Sequence, residues 1–196
     1  MGLRDRQIII TELVSKVLNE DAKSVAFDWL INTHHQKHFQ SSYDVISNIY
    51  SSMGGASPDK KISKLSPDAY FAGKYNFLFE YDELQHFTTA RLNTFNHYPK
   101  ELKLNYSIDD WMKFCKSYSH RADKYRYKKT SADFNFEGGR IYTRAYLDCF
   151  RDLLPQHQGL NPTLRISAFE VEDIDTINVV SINKIKRLLD TKLKHL

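Results

Sequence analysis

Cysteine, glycine and proline are scarce in this chain of 196 residues, which holds two, seven and five of them. Two cysteines cannot build the disulfide framework on which small secreted domains depend. Cys115 and Cys149 both fall in apolar, helix-like patterns, so they read as buried free thiols of a reducing compartment. So little glycine and proline excludes collagen-like and low-complexity architectures. No run approaches the roughly 20 apolar residues that a membrane span needs. The segment from Met1 to Ile10 carries Arg4, Asp5 and Arg6 before only three isoleucines, too little apolar length for a secretory leader. A cytoplasmic protein with no membrane partner is the expectation. Charge of one sign is not in large excess either: a formal charge of +4 and a pI near 8.9 permit a polyanionic partner without demanding one.

What is present is a core. With 41% hydrophobic residues and 13% aromatic ones, 12 Tyr and 12 Phe, the chain has the material for one ordered domain over 1–196. Apolar spacing predicts a helix over 5–18, a second amphipathic or partly buried stretch from Val25 to Ile31, and a third helix from Ser42 to Met53 stopped by Gly54-Gly55, so that residues 1–55 are helical. Ala56 to Ser66, rich in Ser, Lys and Pro, is a connecting loop. Beyond it the period changes. Asp68 to Ala72 and Tyr75 to Asp82 are rich in Tyr and Phe and flank Gly73-Lys74, which signals a hairpin. Further helices are predicted over Ile108 to Tyr118, capped by Ser107, and over Ile141 to Leu154, with a strand over Thr163 to Val171 and a basic C-terminal helix over 181–196.

The second strand of the hairpin ends in an unusual concentration of chemistry: Glu80, Asp82 and Glu83 are followed by Gln85 and His86. Successive strand residues alternate faces, so Glu80 and Asp82 point the same way. A turn centred on Lys74 sets Asp68 directly across from Glu80, and cross-strand partners on one face bring their Cβ atoms to roughly 5 Å. Three carboxylates so close raise one another's pKa values unless a cation or proton intervenes. Their oxygen chemistry suits Mg²⁺ or Mn²⁺ rather than zinc.

Asp68, then Glu80-Tyr81-Asp82 and Gln85-His86-Phe87, resembles the core of the PD-(D/E)XK nuclease superfamily, in particular the restriction-type and very-short-patch-repair-like members with a Glu-x-Asp-x-x-Gln-His motif. The likeness covers about twenty residues in detail and is only topological elsewhere. It implies an α/β fold with a restriction-endonuclease-like core over 66–171, a mixed sheet with a central hairpin flanked by helices. It also implies Mg²⁺-dependent hydrolysis of phosphodiester bonds in DNA, in restriction or repair, with Asp68 and Glu80 as the metal pair. Asp82 is the expected third ligand, although it stands where the family usually carries a lysine, and Gln85 or His86 takes over the orientation of water or phosphate. A protein that keeps the fold without cleavage, as a nucleic-acid-binding or interaction module, is the alternative. Double-strand cutting would make a homodimer natural.

Several other groups bear on this expectation. Arg121, Lys124, Arg126, Lys128 and Lys129, interleaved with Tyr125 and Tyr127, suit phosphate contacts and stacking along nucleic acid, and Arg140 and Arg144, one helical turn apart, could face the same phosphate. Glu12 reads as part of a solvated helix face rather than an accessory ligand. His34, His35 and His38 lack a supporting cysteine or carboxylate and read as a solvated helix end.

Overall fold

The computed structural model of the chain describes residues 3–34, 39–56, 58–125 and 127–194, so His35, His38 and Arg126 lie outside the described residues. Its architecture follows from one strand. β3 (Phe77–Asp82) reads Phe-Leu-Phe-Glu-Tyr-Asp, and all six residues are buried, which requires that both faces of the sheet be covered. Phe77, Phe79 and Tyr81 enter one apolar cluster with Leu164 and Ile166 of β4 (Asn161–Ser167), beneath α1 (Leu3–Leu18) and α6 (Val179–Lys192). Leu78 enters the other, beneath α2 (Tyr43–Ser52), α3 (Thr89–Phe95), α4 (Ile108–Ala122) and α5 (Gly139–Leu153).

The sheet is mixed and open, with the order β1-β2-β3-β4, where β1 is Ala22–Lys23 and β2 is Ala69–Phe71. β1 and β2 are antiparallel, as are β2 and β3, whereas β4 runs parallel to β3. In the β2–β3 hairpin Ala69 is paired with Phe79 and Phe71 with Phe77, the register expected from a turn centred on Lys74. Gly73 and Asn76 take positive φ angles of 32° and 42° in that turn, where a residue without a Cβ or with a short amide side chain is least strained.

Helix α2 begins and ends within a residue of the expected positions, and α4 begins at Ile108 as expected but runs a turn beyond Tyr118, to Ala122. Ser107 caps α4 by accepting the Asp110 N–H at 3.2 Å, and Gly54, with φ of 77°, follows the end of α2. The stretch from Val25 to Ile31 is a correction: it contains no helix, only a turn at 28–29 and a single bridge from Ile31 to Lys64. Its apolar side chains, Phe27, Trp29 and Leu30, still serve the core, but as a strap across the helical cluster. The strand expected over Thr163 to Val171 runs over 161–167 and then turns, and α3 was not expected at all. The basic C-terminal helix spends part of its charge inward, since Lys192 pairs with Glu170 at 2.8 Å and lies 4.6 Å over the Trp111 ring. Both cysteines are buried free thiols. Among the described residues no helix is long and apolar enough to cross a membrane.

Candidate functional site

The face of β3 that carries Glu80 and Asp82 is pressed against α5. Neighbouring β4 sets Arg165 beside Glu80 and Ser167 beside Asp82. A layer of charge is thereby sealed between sheet and helix, because α5 presents Asp148, Arg151 and Asp152 along the edge of the same stripe as Ile141, Ala145 and Cys149. Charges in such a place survive only if paired. Arg165 donates from Nη1 to Asp82 at 2.7 Å and from Nε to Asp152 at 2.8 Å. Arg91 of α3 reaches the other Asp152 oxygen at 2.5 Å, with the Tyr98 and Tyr106 hydroxyls donating to that same oxygen at 2.7 and 2.9 Å. The Trp111 indole N–H closes the second Asp82 oxygen at 2.7 Å.

This placement corrects the expectation for Asp82. Both of its oxygens are engaged by Arg165 and Trp111, the residue is 1% exposed, and it does not line the cavity described next. In place of a metal ligand it is one anchor of an interior ion network.

On the outer side of the same layer opens a cavity of about 460 Å³. Asp68, Glu80, Glu83, Gln85, His86, Arg140, Arg144, Asp148 and Arg151 line it, together with Gln7 of α1. Asp68 precedes β2 by one residue, and one step along the Ala69–Phe79 register sets it opposite Glu80. Its Oδ2 accepts the Tyr81 N–H at 2.7 Å, which fixes the carboxylate at the strand edge. The 3₁₀ turn Leu84–His86 then brings Gln85 and His86 round to the cavity. Gln85 donates to Glu83 at 2.7 Å, and the His86 ring Nδ1 is 2.9 Å from Asp148 and 3.6 Å from Asp82.

Of the residues expected at the site, the structure thus brings together Asp68, Glu80, Gln85, His86, Arg140 and Arg144. Arg121, Lys124, Lys128 and Lys129 do not line the cavity, although their segment touches two residues that do. Tyr125 stands with its ring 5.9 Å from the Arg144 guanidinium, and the Lys129 carbonyl accepts the Arg140 N–H at 3.0 Å. Glu12 is partly exposed, 3.5 Å from Lys16, in a separate groove along α1 that Asp68 also borders. His34 is stacked on Tyr50 and lies 3.9 Å from Asp133.

Among the cavity residues outside the expectation are Arg151, Asp148 and Glu83. The signal for the first two was available in the spacing of α5, where 144, 148 and 151 recur at helical intervals beside an apolar stripe. Arg151 is the more consequential. Its Nε is 2.8 Å from Oε1 of Glu80, yet the two are aligned too poorly for a hydrogen bond, and both buried atoms lack a hydrogen-bond partner. Arg151 also donates to the carbonyls of Leu147 and Ser66, each at 3.2 Å.

The carboxyl groups in and around this layer are held in opposite states. Burial pushes the Glu80 carboxyl well above the usual range; Arg151 pulls it down and Asp68 pushes it up again. Desolvation of its carboxylate raises Asp68, although part of the residue reaches solvent, with the Tyr81 N–H and His86 opposing. Glu83 is raised for the same reason, with His86 opposing. Burial acts on Asp148 and Asp152 too, but there cations win: His86 and Arg165 hold Asp148 far below the usual range, and Arg165 and Arg91 hold Asp152 below it. Neighbouring cations compensate Asp148 and Asp152, whereas Glu80, Asp68 and Glu83 are left short of positive charge.

Among the described residues, no group of three or more His, Cys, Asp or Glu side chains is set to hold a metal ion. With Asp82 turned inward, two carboxylates remain. That number suits Mg²⁺, which keeps several waters and takes one or two carboxylates plus substrate phosphate in place of an all-protein cage. The unmet Oε1 of Glu80 and the raised carboxyls fit such a cation; they do not fit zinc.

Comparison with curated proteins finds no match, and comparison with solved structures finds none either. A family model does match, over residues 48–191, a span that includes every cavity residue named above except Gln7. The chain belongs to this family, DUF7255, a family of unknown function.

Proposed function

We propose that the chain is a Mg²⁺-dependent nuclease that hydrolyses phosphodiester bonds in DNA, built on a restriction-endonuclease-like core. The observation that carries this reading is the register of the central hairpin, which sets Asp68 opposite Glu80 and opens both to one cavity. The order of elements supports it: a helix, antiparallel strands ending in the Glu80 strand, helices, then a strand parallel to it, in line with the resemblance to the PD-(D/E)XK nucleases.

Asp68 and Glu80 would hold Mg²⁺, with Mn²⁺ able to substitute, and Asp82 is left out of the metal set. When bound, the cation supplies an activated water and neutralises charge on the scissile phosphate. The chain's own residues do the rest. Arg140 and Arg144 bind and orient the phosphate backbone, which is the usual use of a planar, always-charged donor. His86, held by Asp148, faces the role of proton carrier beside the reacting phosphate, as the family lysine is missing at Asp82. Gln85 orients water or phosphate at the cavity wall. Restriction or repair is the natural setting for this chemistry.

A second reading is favoured by Arg151. A guanidinium already against Glu80 gives that carboxylate part of what a cation would give it, as expected of a domain that binds nucleic acid on the same fold without cutting it. Purified protein incubated with plasmid and oligonucleotide DNA in Mg²⁺, Mn²⁺ or EDTA, beside an Asp68→Ala control, separates the two. The nuclease reading expects metal-dependent nicking that the control lacks. No cleavage in any metal, with DNA binding retained, would leave the second reading.

A further inference from the structure

A strip of exposed aromatic rings and cations leads into the cavity. Among the described residues, the large apolar side chains most exposed to water include three aromatic rings, Tyr125, Tyr127 and Phe136. All three lie in the segment between α4 and α5. Tyr125 and Tyr127 are 44% and 50% exposed, yet they are held in place. Tyr125 lies beside Arg144 and helps line a narrow crevice with Gln85 and Arg140, which also line the main cavity. Tyr127 rests against the glycine that precedes α5, where a Cβ on Gly138 would stand 3.6 Å from its ring. Lys124, Lys128 and Lys129, all exposed, surround the two rings along the chain.

Rings kept in water beside cations have two physical uses. They can shield a guanidinium, or they can offer a π-face to something flat that arrives with negative charge. Bases inside a duplex are stacked on one another and present no face to a side chain, whereas bases of a single strand do. A lysine-rich margin beside such faces tracks a phosphate backbone. We propose that Lys124, Tyr125, Tyr127, Lys128 and Lys129, with the Arg140–Arg144 face, form a binding track for single-stranded nucleic acid, on which Tyr125 and Tyr127 stack successive bases and feed the strand toward Glu80. The inference deepens the nuclease reading by naming the form of its substrate, and it rests on that reading only for where the strand leads.

The test is fluorescence anisotropy with the full chain in EDTA, so that binding is read without cleavage. The probes are a labelled oligothymidine and a duplex of the same length. The track predicts at least about ten-fold tighter binding of the single strand, lost by about ten-fold in Tyr125→Ala and retained in Tyr125→Phe. Tyr127→Ala is expected to act in the same direction. Replacing Lys128 and Lys129 together by alanine should flatten the dependence of log affinity on log salt by about 0.7 per lost phosphate contact. Duplex bound as tightly as the single strand, or alanine variants that melt and bind like the wild type, would overturn the track and leave a general polyanion surface. Its fate is separable from that of the nuclease: stacking-dependent binding without any cleavage keeps the track and sinks the nuclease, and metal-dependent cutting with unaltered Tyr125→Ala binding does the reverse.

Discussion

The guanidinium of Arg151 stands 2.8 Å from the Glu80 carboxylate and still leaves the Glu80 Oε1 without a hydrogen-bond donor. Glu80 is therefore partly neutralised but unsatisfied, with Asp68 across the hairpin adding like charge. Removing the cation must make matters worse. Arg151→Met is expected to cost about 3 kcal/mol of stability at neutral pH, the scale for leaving a buried charge unpaired, and denaturant melts check it. Glu80→Gln in the same background should recover much of the loss, because an uncharged amide has no charge to strand.

Stability should respond to pH in two opposed ways. Glu80, Asp68 and Glu83 bind protons more tightly in the folded state than in the unfolded chain, so their contribution is present at low pH and is lost as pH rises from about 4 through their raised values. Asp148 and Asp152 are depressed in the folded state, so their contribution is present above the usual Asp range near 4 and is lost as pH falls below it. Urea melts across pH are expected to show both limbs. Glu80→Gln should flatten the upper limb alone, and Mg²⁺ should stabilise the protein most where that limb falls; an upper limb unchanged in Glu80→Gln contradicts the assignment.

Arg165 pairs with both Asp82 and Asp152 at full burial. Arg165→Met leaves both carboxylates short of a partner. The expected loss is about 3–5 kcal/mol, read as a fall in the denaturation midpoint, with the lower pH limb shifted because Asp152 loses its first source of positive charge.

Gly139 opens α5 directly under the segment that carries Phe134, and a Cβ there would lie 1.8 Å from the Phe134 carbonyl oxygen. Gly139→Ala must displace backbone. It is expected to lower stability by about 1–3 kcal/mol, as overpacking does, and to weaken nucleic-acid binding by moving Arg140 and Arg144. A variant with unchanged melting and unchanged binding would show that the segment yields freely.

Cys115 and Cys149 offer a simpler check of burial, since desolvation pushes their thiols up to about 12 and about 11. Neither should react with a thiol reagent in the native protein, and both should react once denaturant is added.

How much of this was legible depends on range. The hairpin was, because its signals are local: Tyr and Phe alternation on either side of Gly73-Lys74 set the register, and the register set Asp68 against Glu80. The β1 strand was not, since two residues, Ala22 and Lys23, become a strand only by pairing with Phe71 and Tyr70 far along the chain. Val25 to Ile31 carried enough apolar residues for a helix, but it packs them from an extended strap. Asp82 shows the limit most clearly. Its burial and face followed from strand alternation, yet its role turns on Arg165, 83 residues later, and only the pairing of β3 with β4 brings the two together. Arg151 was missed for the same reason: a charge beside an apolar helix stripe reads as surface until the sheet that it covers is known.

Titration of the protein with Mn²⁺, followed by the loss of the free-ion electron paramagnetic resonance signal, tests the central claim most directly. The account predicts one site in the wild type, competed by Mg²⁺, and lost in Asp68→Asn and in Glu80→Gln but kept in Asp82→Asn molecules that remain folded. Mn²⁺ binding that survives both Asp68→Asn and Glu80→Gln, or that is absent from the wild type even when DNA is present, would contradict it.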